Sequence, residues 1–258
     1  MPNLTALTAF EDNYIWVLGS DEGGAVIVDP GDAAPVLAAA RQGLKPAAVL
    51  LTHHHDDHIG GVAGLLRQWP DLPVIAADDE RITTATHKVA DGERFEAAGM
   101  PFRAIFVPGH TRSHVVFHRQ AAGGELFSGD TLFSLGCGRL FEGTPAQMLA
   151  SLETLASLPD DTPVCCGHEY TQSNAAFALA VEPGNTALQA RAAQVRALRA
   201  ADRPTLPVSL ATERATNPFL RVDVPEVVRS VETWLQAAAA DRVETFAGLR
   251  RWKDGFRA

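Results

Sequence analysis

The chain has 258 residues, enough for one large domain or a domain with an appendage. Its hydrophobic content of 46% with 21% charged residues supports a substantial core, and no run approaches the ~20 apolar residues of a membrane span. A formal charge of -9 excludes the basic face of a non-specific nucleic-acid binder. Three cysteines, Cys137, Cys165 and Cys166, form no CxxC pair and no disulfide framework, so reduced thiols in a cytoplasmic protein are expected. The start, Met1-Pro2-Asn3-Leu4-Thr5, lacks the basic-then-apolar pattern of a signal peptide.

Residues 13–18 and 24–28 read as strands joined by a turn at 20–23, the second ending in the breaker cluster Asp29-Pro30-Gly31-Asp32. Asp29 fits either a turn or an acceptor that orients a metal-bound histidine. A helix is expected over 35–42, closed by Gly43, and a buried parallel strand over 47–51. Then come Thr52-His53-His54-His55-Asp56-Asp57-His58, with four histidines and two aspartates in six consecutive positions after the threonine. Such a run builds a core poorly and holds a metal well. A helix is expected over 59–69, stopping at Pro70, so the ligand-rich stretch is a strand-to-helix loop.

The same grammar recurs three times. An apolar run at 102–107 leads to Pro108-Gly109-His110, 126–129 leads to Asp130, and 163–167 leads to His168. Glycine lets the backbone turn so that the next side chain projects from the sheet edge. Strand ends therefore deliver His53, His55, Asp57, His58, His110, Asp130 and His168, more donors than one tetrahedral ion needs. His54, His87, His114 and His118 read as turn or core residues; His118 falls in a strand over 115–119 that pairs across Gly123-Gly124, and His114 is the one of the four nearest a supporting role. After Thr171 strand signals fade. Helices are expected over 186–199 and 225–240, with an irregular proline-rich segment over 203–218.

The HxHxDH run, with Gly129-Asp130-Thr131, Gly136-Cys137-Gly138-Arg139, Gly167-His168-Glu169-Tyr170-Thr171, Asn217-Pro218-Phe219 and the tail Arg250-Arg251-Trp252-Lys253, resembles glyoxalase II, the hydroxyacylglutathione hydrolases of the metallo-β-lactamase superfamily. The resemblance implies an αββα sandwich over 1–171 and a helical substrate-binding domain over 172–258. It implies hydrolysis of S-D-lactoylglutathione to glutathione and D-lactate, the second step of methylglyoxal detoxification; a monomer is expected. Carried over by position, His53, His55 and His110 hold one ion, Asp57, His58 and His168 a second, and Asp130 bridges them. Zinc suits these ligands, as do iron and manganese. Two ions activate a shared water for attack on the thioester, with Asp57 a ligand that also has the chemistry of a base. Arg139, Phe141, Tyr170, Arg250 and Lys253 are expected to contact glutathione. Phe141 departs from the family, where tyrosine is usual, and Asp56 replaces a bulkier residue. The competing readings are a single-iron persulfide dioxygenase, a β-lactamase or ribonuclease of the same superfamily, and a non-catalytic binder of glutathione conjugates.

Overall fold

The computed structural model describes residues 3–21 and 23–257. Met1, Pro2, Glu22 and Ala258 lie outside them, and with them part of the N-terminal stretch and of the 20–23 turn. In chain order the first elements are β1 (Asn3–Ala9), β2 (Asn13–Gly19), β3 (Ala25–Val28), α1 (Ala33–Arg41), β4 (Pro46–Leu51), α2 (Asp56–Ile59) and α3 (Val62–Gln68). They are followed by β5 (Val74–Ala77), β6 (His87–Val89), β7 (Arg94–Ala97), β8 (Met100–Phe106), β9 (Val115–Arg119) and β10 (Leu126–Gly129). Next are β11 (Leu132–Phe133), β12 (Gly136–Cys137), α4 (Pro145–Ala156) and β13 (Pro163–Cys166). The rest is α5 (Thr171–Val181), α6 (Thr186–Ala200), β14 (Val208–Ser209), α7 (Leu210–Thr216), α8 (Pro225–Leu235) and α9 (Arg242–Gly255). Two sheets with helices, followed by a largely helical C-terminal stretch, are the arrangement the sequence implies.

The chain packs into two compact units. The first comprises Met1–Val107, Ser113–Gly129 and Cys165–His168. Its first sheet runs β1-β2-β3-β4-β5-β6, antiparallel from β1 to β3 and parallel from β3 to β6. Ile15, Val17, Ile27, Val49, Leu51 and Val74 face the buried sides of α1 and α3 through Val36, Val62 and Leu65. The intervening Leu18, Val26 and Leu50 are also buried, so both faces of the sheet are covered and its strands read as continuous apolar runs. The second sheet runs β10-β9-β8-β7 by antiparallel pairing and continues on its other side into β13.

The second unit comprises Pro108–Arg112, Asp130–Val164 and Glu169–Ala258. It holds the β11–β12 hairpin, α4 with a full capping box at Thr144 and Gln147, and α5 to α9. The pair β13–β14 joins Pro163 and Val164 to Ser209 and Val208. A small core of Leu135, Ala175, Ala178, Leu188 and Ala192 ties the hairpin tip to α5 and α6.

Three expectations are corrected. The helix expected over 59–69 is two, because Gly61 donates its N–H to the Pro30 carbonyl and any Cβ on it would lie 2.4 Å from that oxygen. The segment expected to be irregular over 203–218 holds α7, whose first turn is capped by the Ser209 hydroxyl accepting from Thr212 N. The helix expected over 225–240 ends at Leu235, where Gln236 turns left-handed at φ 56° and its N–H caps the Glu232 and Thr233 carbonyls. The alanines at 237–240 have high helix propensity, but this cap overrides it.

Candidate metal centre

Within the first unit, β4 ends at Leu51 and the chain passes into Thr52-His53 before α2 begins at Asp56. Asp29, at the end of β3, organises this loop. Its carboxylate accepts from Thr52 N (2.8 Å), from Thr52 Oγ1 (2.7 Å) and from His58 Nδ1 (3.0 Å). Asp29 is buried and left-handed at φ 52°, a conformation that aspartate tolerates better than most residues. It is therefore both the turn residue and the acceptor that holds a histidine. Gly31 lets the same turn approach the loop, since a Cβ there would lie 1.8 Å from the Asp57 carbonyl oxygen.

Asp57, His58 and His168 each bring a donor atom within 4.8 Å of the other two. His58 Nε2 lies 3.4 Å from Asp57 Oδ2, and His168 Nε2 lies 3.3 Å from it. Both imidazoles are braced on their far side, His58 by Asp29 and His168 by Asp12 Oδ1 at 2.8 Å. A carboxylate on Nδ1 fixes the tautomer that leaves Nε2 with its lone pair toward the centre. Asn13 Nδ2 donates to Asp57 Oδ2 at 2.9 Å. Burial pushes the Asp57 carboxyl up, but in the absence of an ion the imidazolium forms of His168 and His58, donating from Nε2, and the Asn13 amide outweigh it. The group is held well below the usual carboxylate range. Ligand bonds of about 2.1 Å at a tetrahedral angle place neighbouring donors roughly 3.4 Å apart, so this donor set fits a divalent ion.

His53 and His55 stand beside this group. His53 Nε2 is 3.0 Å from His55 Nδ1, and His53 Nδ1 meets Thr52 Oγ1 at 3.0 Å. His114 stacks on His53 at 4.8 Å between ring centroids, so its supporting role is a packing contact. His54 turns toward Asp79 at 3.7 Å, His87 pairs with Glu93, and His118 sits in β9 with Gln120, all away from the braced donors.

The second unit carries His110 and Asp130. His110 Nδ1 donates to the Arg139 carbonyl (2.9 Å), which leaves Nε2 3.5 Å from Asp130 Oδ2. The two line a cavity of about 470 Å³ with Cys137, Arg139, Phe141, Tyr170, Arg250 and Lys253 among its walls. All five residues expected to meet glutathione therefore face one space. Phe141 is 62% exposed, with its ring 5.2 Å from His110, and Tyr170 packs at 5.2 Å on Phe133. Arg250 is built into the wall of that cavity. It is only 6% exposed, donates Nη1 to the Cys137 carbonyl at 2.7 Å, pairs with Asp254 and lies over the Phe219 ring. Lys253 Nζ reaches Ser173 Oγ at 3.0 Å. Burial, with Arg250 and Arg139 nearby, pulls its ammonium down to about 8.

The metallo-β-lactamase superfamily model matches residues 9–168, and the model of the hydroxyacylglutathione hydrolase C-terminus matches residues 169–256. A hydroxyacylglutathione hydrolase of Xanthomonas axonopodis pv. citri is 61% identical over 99% of both chains. The chain belongs to the hydroxyacylglutathione hydrolase family. Among solved structures, the BLEG-1 B3 metallo-β-lactamase matches with a TM-score of 0.63 and 26% identity over 85% of this chain and 99% of its own. TTHA1623, solved in a di-iron-bound form, matches with a TM-score of 0.53 and 33% identity over 64% of this chain and 91% of its own.

The supporting roles of Asp12 and Asn13 are not visible in the sequence. Their signal was an Asp-Asn pair at the tip of the first hairpin, which any polar turn could carry. No helix among the described residues is long and apolar enough to cross a membrane.

Proposed function

We propose that this enzyme hydrolyses S-(2-hydroxyacyl)glutathione thioesters, S-D-lactoylglutathione among them, to glutathione and the 2-hydroxy acid. The observation that carries the reading is a pair of carboxylate-braced imidazoles, His58 and His168, aimed at one ionised carboxylate, Asp57, in a chain of this family. His53, His55 and His110 are assigned to one divalent ion, Asp57, His58 and His168 to a second, and Asp130 to both. The two-ion count draws support from the seven donors and from the di-iron form of TTHA1623. Zinc is the proposed metal, with iron and manganese as alternatives the ligands accept. Such ions supply an activated water and a positive charge for the carbonyl oxygen.

The chain's own residues do the rest. Asp57 stays ionised at neutral pH and is assigned a base role besides ligation. Arg139, Arg250 and Lys253 present cations to the carboxylates of glutathione, while Phe141 and Tyr170 give the peptide apolar and aromatic surface. The leaving thiolate needs no strong acid, because a thiol ionises near pH 8.5. We read 1–171 as the catalytic domain and 172–258 as the substrate-binding one, a division supported by the abutting family matches at 168 and 169. Three free, buried cysteines fit the reducing cytoplasm, where we place the enzyme as a monomer.

The test is turnover of S-D-lactoylglutathione alongside metal analysis of the same sample, with Asp130→Ala as the ligand variant. Turnover with about two metal ions per chain, lost together in the variant, is expected. A fully metallated protein that leaves the thioester intact, or that instead consumes oxygen with glutathione persulfide, would overturn it.

A further inference from the structure

The Asn217-Pro218-Phe219 stretch and the buried acid Glu213 enter no step of the proposed reaction. Both close on the β11–β12 hairpin. Glu213 is fully buried on α7; its Oε1 accepts from Ser134 Oγ at 2.7 Å and its Oε2 from Leu135 N at 2.8 Å. Those two residues are the hairpin tip, and Leu135 is left-handed at φ 58°, a conformation a leucine keeps only when its surroundings impose it. Asn217 donates Nδ2 to the Phe133 and Gly136 carbonyls, at 3.1 and 3.0 Å, and to Glu213 Oε2. Asn174 of α5 takes the remaining side by donating to the Ser134 carbonyl at 3.0 Å.

The base of the same hairpin carries the working groups. Gly138 N donates to the Thr131 carbonyl, and a Cβ on Gly138 would lie 1.9 Å from the Asp130 carbonyl oxygen, so the two arms meet there without slack. The following residue, Arg139, supplies the carbonyl that orients His110. Cys137, the last residue of β12, supplies the carbonyl that anchors Arg250. Moving the hairpin therefore moves Asp130, releases His110 and loosens the cationic wall at once.

The geometry points to Glu213, acting with Asn217, as a positioning residue that sets the hairpin and through it both the second unit's metal donors and its substrate cavity. It touches neither substrate nor metal. The inference rests on the proposed function for the reaction used as one readout, and on the metal-donor role given there to Asp130 and His110.

The test compares Glu213→Gln, Ser134→Ala and Glu182→Gln in the full-length metallated protein. Glutamine keeps the size of Glu213 but cannot accept at both oxygens. Serine-to-alanine at 134 removes one strut and leaves Leu135 and Asn217 bonded. Glu182 is another buried acid of the same unit, held by Arg221 at 2.7 Å and by Asn185, and none of its hydrogen bonds reaches the hairpin, so it serves as the stability control. The readouts are kcat/KM on S-D-lactoylglutathione, the rate of metal release to a chelator, the affinity for glutathione itself and the unfolding midpoint.

Glu213→Gln is expected to lower kcat/KM about tenfold, with metal release several-fold faster and glutathione bound several-fold more weakly. Ser134→Ala should move the same three readouts in the same direction by less, and Glu182→Gln should move only the midpoint. Folded Glu213→Gln with all three readouts within about twofold of wild type would overturn the inference, as would Glu182→Gln moving them equally. If Glu213→Gln does not fold, Ser134→Ala decides on the same readouts. A wild-type protein without thioesterase activity would sink the proposed function, while metal release and glutathione affinity would still judge Glu213.

Discussion

Asp29 is the residue whose replacement tests the metal centre most directly. Three donors converge on its carboxylate: the Thr52 amide, the Thr52 hydroxyl and His58 Nδ1. Asp29→Asn keeps size and tolerates the left-handed backbone, but it puts an NH2 group where an oxygen was. With the amide nitrogen toward His58, two donors face each other at 3.0 Å, and the imidazole escapes only by moving its proton to Nε2. That proton occupies the lone pair that ligation needs. With the amide turned the other way, the buried Thr52 N–H loses its acceptor instead, at a cost of about 1–3 kcal/mol. In both cases the charge that raises His58 basicity is gone. Loss of such a support weakens metal binding about 10–100-fold, or about 1.4–2.7 kcal/mol. Asp29→Ala removes all three acceptor contacts and adds left-handed strain, for about 3–5 kcal/mol of folding stability. Zinc competition against a chromophoric chelator measures the first figure and urea unfolding the second. Asp29→Asn with zinc affinity within about twofold of wild type, together with Asp29→Ala costing under about 1 kcal/mol, would refute the reasoning.

Lys253 gives a pH signature. Its ammonium titrates at about 8, so the cation is present below that pH and lost as pH rises through it. Among the limbs of the kcat/KM profile, one should bend downward near pH 8 in wild type and be absent in Lys253→Met; an identical bend in the variant would assign it elsewhere. Cys137 lines the cavity and invites a covalent mechanism, but burial pushes its thiol up to about 11, against the nearby Arg250 charge. Cys137→Ser should therefore keep most of the activity and the wild-type thiol should alkylate slowly, whereas a trapped acyl-cysteine would reverse that assignment.

The donors were legible because each obeys a local rule. A buried apolar strand ends, glycine or a turn follows, and a ligand-type side chain comes next; Gly129, at φ 48° with Thr52 Oγ1 2.4 Å from where its Cβ would be, shows why that position is glycine. The strand β9 and the starts of α6 and α8 fell on the expected residues for the same reason, since periodicity and caps are local. Of the braces, Asp29 was legible at its strand end, but Asp12 and Asn13 were not. Asp12 reaches His168 across 156 positions and Asn13 reaches Asp57 across 44, distances over which no periodicity carries information. Of the elements that went unmarked, α4 with its capping box and the apolar β5 carry clear local patterns, whereas β1 and α5 carry weak ones. In β1 exposed and half-buried residues alternate at a sheet edge, and α5 presents threonine, serine and alanine on nearly every side rather than an apolar stripe.

Arg250 shows where charge counting fails. As one of four cations near the end of an acidic chain, it reads as a solvated charge that meets substrate carboxylates and weakens with salt. In the structure its guanidinium is anchored to the Cys137 carbonyl, lies 5.2 Å over Phe219 and reaches Asp254, so much of its bonding capacity serves the wall it stands in. Lys253, three residues on along α9, keeps its charge at the cavity with one hydroxyl partner and a carbonyl at 3.5 Å. Two cations one helical turn apart therefore divide the work. Lys253 offers a titratable charge to the ligand, and Arg250 holds the hairpin and α9 together while facing the same space. Salt should screen the half-buried lysine more than the arginine, because only the lysine's field passes largely through water.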